Sequence, residues 1–199
     1  MGKLIAIVGA SGVGKTALVS ALAKAYDFDT AYEQHTERPF QSLFKNDARY
    51  ALANQIDYLL LRAEQERKLR ESRHIGLIDG GLDLDFYGFT RLFHRRFLLT
   101  DPEFDLCKRI YELIRQSAPR PELIVRLKAD EITVAERLST RERINIASAE
   151  DTSLFNGFLD AWLGSIPPDQ VLELDVSDET LGYEKSIAII LHRIKALHN

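Results

Sequence analysis

The run Gly9-Ala10-Ser11-Gly12-Val13-Gly14-Lys15-Thr16 has the residue types and spacing of a phosphate-binding loop. It fits G-x-x-x-x-G-K-[S/T] in the context that pattern needs, with an apolar strand before it and an apolar helical repeat after it. The glycines let the backbone turn tightly and aim its N–H groups inward. With the N-terminus of the next helix, those groups form an anion cradle. Lys15 can reach the outer phosphates of a nucleoside triphosphate, and Thr16 can offer its hydroxyl to Mg²⁺. The motif alone leaves hydrolysis, phosphoryl transfer and switching open.

Three further groups of residues carry chemistry. Arg137, Arg141 and Arg143 fall in "RLSTRER". The first two, four apart, share a helix face. They can neutralise charge on a transferred phosphoryl group, or form a solvated basic face with Glu136 and Glu142. Gln55, Leu59 and Arg62 recur at i, i+4 and i+7, so a glutamine able to bond a base edge shares a face with an arginine. The same two residues also suit the polar fringe of a core-facing helix. Glu33 and Asp79 each end an expected strand, where a carboxylate can be a general base, a metal partner or a turn residue. His35, His74, His94, His192 and His198 show no paired-ligand spacing. Cys107 reads as a core residue, and Trp162 beside Phe158 as core or interface.

These residues need elements to hold them. "KLIAIVG" reads as a buried parallel strand, followed by a helix from Lys15 to about Ala25. Residues 29–33 are a weak strand, and Pro39 interrupts the chain. Asp47 can cap a helix to about Arg73 with Ala48, Leu52, Ile56, Leu59 and Leu60 inward. "HIGLID" is a strand closed by Gly80 and Gly81. Helices are expected over Phe86–Leu98, from Asp101 to about Gln116, and over 130–144 and 150–163. "PELIVRLKA" and "QVLELDV" are strands, and "ETLGYEKSIAIILHRIKAL" is a final helix. Strands alternating with helices imply an α/β fold: a five-stranded parallel sheet covered on both faces. No repeat or linker divides residues 1–199.

The chain is 45% hydrophobic and 28% charged, with a net charge of −4, so no basic field invites nucleic acid. A single cysteine rules out a disulfide within the chain and fits a reducing compartment. The apolar runs are too short for a signal peptide or a membrane span. A cytoplasmic protein is expected.

Taken in order along nearly the whole chain, these pieces resemble the deoxyribonucleoside kinase family, a group of phosphate-loop kinases. "YEQHTERPF" is similar to the family's Glu-Pro segment, and "YALANQIDYLLLRAEQ" to its substrate helix. "LIDGGLDLD" is similar to its Asp/Glu-Arg-Ser segment with an Asp six residues on, and "ERLSTRER" to its lid. The resemblance implies ATP and Mg²⁺ as cofactors and the 5′-hydroxyl of a deoxyribonucleoside, a purine one, as acceptor. Glu33 would be the base. Gln55 and Asp85 would meet the nucleobase, and Arg62 would stabilise the site near Glu33 and the base. Asp79 would help Thr16 hold Mg²⁺, and Arg137, Arg141 and Arg143 would line a lid over about 138–149. A homodimer through a helix bundle would bury Phe89 and Phe93.

Four positions depart from the family. Gly80 replaces an arginine beside the transferred phosphate, so an arginine returned there is expected to raise kcat. Phe44 replaces a tyrosine that holds the sugar 3′-hydroxyl, and a lid glutamate to the same hydroxyl falls near Ile146. Gln34 replaces a proline. Another small acceptor, or a nucleotide-binding regulator that has lost transfer, stays open on these departures.

Overall fold

The structure is a computed structural model that describes residues 2–32, 38–139, 149–180 and 182–196. Glu33, Gln34, Arg141, Arg143 and Ile146 lie outside the described residues.

Five parallel strands form one sheet in the order β2-β3-β1-β4-β5. They are β1 (Leu4–Val8), β2 (Phe28–Ala31), β3 (Ile75–Asp79), β4 (Leu123–Lys128) and β5 (Val171–Asp175). Central β1 pairs with β3, Ile7 opposite Asp79, and with β4, Val8 opposite Arg126. All five β1 residues are buried. Ile5 and Ile7 pack on one face with Leu18, Val19 and Leu22 of α1 (Lys15–Ala25) and Ile190 and Ile194 of α9 (Glu184–Ala196). Leu4, Ala6 and Val8 pack on the other with Leu69 of α3 (Ala51–Glu71) and Phe155, Leu159 and Trp162 of α8 (Ala149–Leu163). A strand buried on both faces must read as an unbroken apolar run, as β1 does.

A third apolar cluster joins α3 to α6 (Asp101–Ser117) through Ala51, Leu59, Phe86, Phe93, Cys107 and Tyr111. α6 starts where its sequence directs: Thr100 and Glu103 form a capping box, and Pro102 sits in the first turn. Under this cluster lies a buried ionic group. Arg115 bonds Glu66 at 2.8 Å and Asp83 at 2.9 Å, and the Tyr111 hydroxyl donates to Asp83 at 2.6 Å. Glu66 also accepts the Leu82 N–H at 2.9 Å, tying α3 to the turn after β3. Removing one partner of such a buried pair costs about 3–5 kcal/mol.

Several expectations are corrected. Pro39 opens a helix, α2 (Pro39–Asn46), because a first-turn proline gives up only an N–H that has no intrahelical partner. Asp47 caps a 3₁₀ turn, Ala48–Tyr50, before α3 begins. Ala48 and Leu60, expected inward, are exposed. The segment Phe86–Leu98 is not one helix. α4 (Leu82–Leu84) runs into a π-helical turn, Asp85–Thr90, then α5 (Arg91–Arg95), and the chain leaves through Phe97 at φ 57°. Gly88 permits the π turn to sit under Phe155, whose ring would lie 2.5 Å from an added Cβ. The final helix starts at Glu184, after Tyr183 at φ 49°.

Candidate active site

The phosphate loop lies between the C-terminal end of β1 and the start of α1, with buried Ala10 and Val13 anchoring it in the core. Gly14 is the N-cap of α1, and the first turn of that helix carries no acidic side chain. Its first-turn N–H groups and positive dipole end therefore favour an anion. The Lys15 ammonium donates to the Gly9 and Ala10 carbonyls, 3.0 Å each, which hold the cation on the loop. α7 (Glu131–Ser139) closes over Gly12 with Val134 and Leu138. From α7, Arg137 donates to the Val13 carbonyl at 2.8 Å and to the Val176 carbonyl at 2.9 Å.

Asp79 joins this loop to the rest of the site. Parallel pairing of β1 and β3 brings it level with the loop, fully buried. Its carboxylate accepts from the Thr16 hydroxyl at 2.5 Å, and its carbonyl accepts from Arg62 at 3.1 Å. Arg62, 3% exposed, also donates to Asp85 at 2.6 Å and to the Gln65 side chain at 3.0 Å. Gln65 in turn donates to the Tyr32 carbonyl at 3.0 Å, fixing the chain one residue before Glu33. Gln55 is buried, and its side-chain oxygen lies 3.0 Å from the Thr90 hydroxyl, which is equally near the Asp85 carbonyl. The π turn thus brings Asp85 and Thr90 to the Gln55–Arg62 face of α3.

Most of the expected site residues meet here: the loop, Asp79, Arg62, Asp85, Gln55 and Arg137. Phe44 stands on α2 with its ring centroid 5.0 Å from that of Phe93, part of an apolar cluster. Phe93 is 2% exposed within its own chain, whereas Phe89 packs on Phe155 and stays partly exposed. Sequence reasoning missed Gln65 and Thr90. Spacing held a signal for Gln65, which follows Arg62 by three residues on one helix face. Thr90 had none, because its place depends on the π turn.

Gly80 is explained by its backbone. It has φ +91°, and a Cβ there would lie 3.3 Å from the Arg62 guanidinium. Arg62 already supplies a cation at this point, and a side chain at 80 would be strained. Contrary to the expectation from the family pattern, Gly80→Arg should lower kcat and destabilise the protein by about 1–3 kcal/mol. Thermal melting with steady-state kinetics checks this, and a raised kcat at unchanged stability would refute it.

A parallel α/β sheet with a glycine-rich loop, Lys15 and Thr16 at the end of its central strand defines a phosphate-loop nucleotide-binding fold. The profile of the deoxynucleoside kinase family matches residues 5–197, and the chain belongs to that family. It is a kinase, a phosphoryl-transferring enzyme. It is 27% identical to a deoxyadenosine kinase of Dictyostelium discoideum over 143 residues, 71% of this chain but only 58% of that enzyme's length. It is 22% identical to a deoxyadenosine/deoxycytidine kinase of Bacillus subtilis over 98% of this chain and 92% of the relative. Its fold is similar to that of the M. mycoides deoxyadenosine kinase with bound dCTP: TM-score 0.78, 16% identity, 97% of this chain and 99% of the other covered.

Proposed function

We propose that the protein transfers a phosphoryl group from ATP, with Mg²⁺, to the 5′-hydroxyl of a deoxyribonucleoside, preferring a purine. The observation that carries this reading is the buried polar line Thr16–Asp79–Arg62–Asp85, which links the phosphate loop to the acceptor side without a break. The purine preference draws its support from relatives named deoxyadenosine and deoxyguanosine kinases.

In this reading Lys15 and the loop N–H groups bind the outer phosphates, and Glu33 takes the proton from the 5′-hydroxyl. Arg62 holds Asp85 and the Asp79 carbonyl, and Gln55 and Asp85 meet the nucleobase. Arg137, Arg141 and Arg143 balance charge on the moving phosphoryl. Thr16 and Asp79 are hard oxygen donors side by side, which fits Mg²⁺; the ion keeps few protein ligands and takes the rest from phosphates and water. The ion would neutralise charge between the phosphates.

The whole chain acts as one catalytic unit, in a cytoplasmic setting. The single cysteine fits that setting: Cys107 is fully buried, and burial pushes its thiol up to about 11. Exposed Leu60, Leu106 and Leu113 on the packed helices α3 and α6 favour a homodimer through that face; a monomer in light scattering would remove this part.

A screen of nucleosides with ATP and Mg²⁺, read by mass, tests the reading. Because neither Phe44 nor Ile146 offers a polar group to the sugar 3′-hydroxyl, 2′,3′-dideoxynucleosides should be used within about tenfold of deoxynucleosides, about 1.4 kcal/mol. Phe44→Tyr should widen that ratio. Transfer to no nucleoside, with tight ATP binding retained, would refute the acceptor.

A further inference from the structure

Tyr183 has no part in the site as described, yet it touches the phosphate loop. It is fully buried, and its hydroxyl has no hydrogen-bond partner among the described residues. A Cβ at Gly14 would fall 2.1 Å from that hydroxyl and 3.4 Å from an Arg137 guanidinium nitrogen. The side chain is aimed there by a strained backbone. Tyr183 sits at φ 49°, sparsely populated for a bulky residue, between two backbone bonds: its N–H to the Thr180 carbonyl at 3.0 Å, and its carbonyl from the Ile187 N–H at 2.8 Å. The fold holds against the loop a donor that finds no acceptor among the described residues.

The neighbouring carbonyl explains the arrangement. Val13, next to Gly14 and 2% exposed, takes its hydrogen bond from Arg137. A guanidinium drawn wholly onto a bound triphosphate gives up this carbonyl. The Val176 carbonyl, also released, keeps the Glu179 N–H at 3.4 Å. A buried carbonyl left bare is costly and would loosen the loop as the nucleotide loads it. We propose that Tyr183 is a positioning residue of the phosphate loop: its hydroxyl takes over the Val13 carbonyl when Arg137 moves to the nucleotide. The proposal rests on the assignment of Arg137 to the triphosphate made above.

Ligand-free stability tests the hand-over without any activity. In the wild type, Tyr183→Phe removes a hydroxyl that bonds none of the described residues, so Tm should stay the same or rise. In an Arg137→Met background the carbonyl is already released and the hydroxyl already engaged. There the same change should lower Tm by about 2–4 °C. Calorimetry with a non-hydrolysable ATP analogue supplies the second arm. Tyr183→Phe alone should weaken binding about 5–10-fold, while nucleoside affinity stays unchanged. Equal Tm effects in both backgrounds, or unchanged analogue affinity in Tyr183→Phe, would overturn the proposal. A wild type that does not bind the analogue refutes the ATP reading itself, and the two ligand-free backgrounds still decide the hand-over.

Discussion

Lys15→Ala is expected to weaken triphosphate binding by about 10–100-fold and turnover by at least about 10²–10³-fold. A charge-assisted hydrogen bond contributes about 1.5–3 kcal/mol, and the ammonium is a point charge that no neutral neighbour replaces. That ammonium rests on the Gly9 and Ala10 carbonyls. Gly9 and Ala10 are buried, but the Ala10 carbonyl keeps the Val13 N–H at 3.4 Å, so the variant should fold with some loss of stability while nucleoside binding changes little. Calorimetry with each ligand separates the two affinities. Unchanged ATP affinity would remove the loop from the donor site.

Glu33→Gln should lower kcat by about 10²–10⁴-fold while ATP binding stays nearly intact. The amide keeps the size of the side chain and loses its ability to take a proton. Support for this role comes from the bond of Gln65 to the Tyr32 carbonyl, which anchors the chain just before Glu33 to the helix that carries Arg62. Single-turnover kinetics at saturating ATP reads the chemical step directly. A fully active variant would move the base elsewhere, and Asp79 is the next carboxylate.

How much of this was legible in the sequence follows from how local each signal is. The phosphate loop could be read outright, because its strand, glycines, lysine and hydroxyl are contiguous. The order of strands and helices could also be read, since buried parallel strands are unbroken apolar runs. Arg62 and Gln55 announced themselves by sharing a helix face. The pairing of Arg62 with Asp85 was not read, because Asp85 lies 23 positions further on, in a turn of unusual geometry. That π turn hid itself: one extra residue per turn over Asp85–Thr90 barely disturbs a pattern of aromatics. Leu60 was misjudged because α3 is apolar beyond the arc its own core uses. Gly80 looked like a missing arginine until its positive φ and the nearby Arg62 guanidinium accounted for it. Tyr183 carried no periodic signal at all.

The strand order has a consequence during synthesis. Central β1 leaves the ribosome first, yet it is flanked by strands made much later. The Thr16–Asp79 bond closes over 63 positions and the Arg137–Val13 bond over 124. At about 5–20 residues per second, the second contact trails the emergence of Val13 by about 6–25 s. The nascent loop therefore first meets β3 and the acceptor-side helix α3, and only later α7 and the β5 side. A half-made chain carries β1 with one edge unpaired, an invitation to wrong strand partners until β4 arrives.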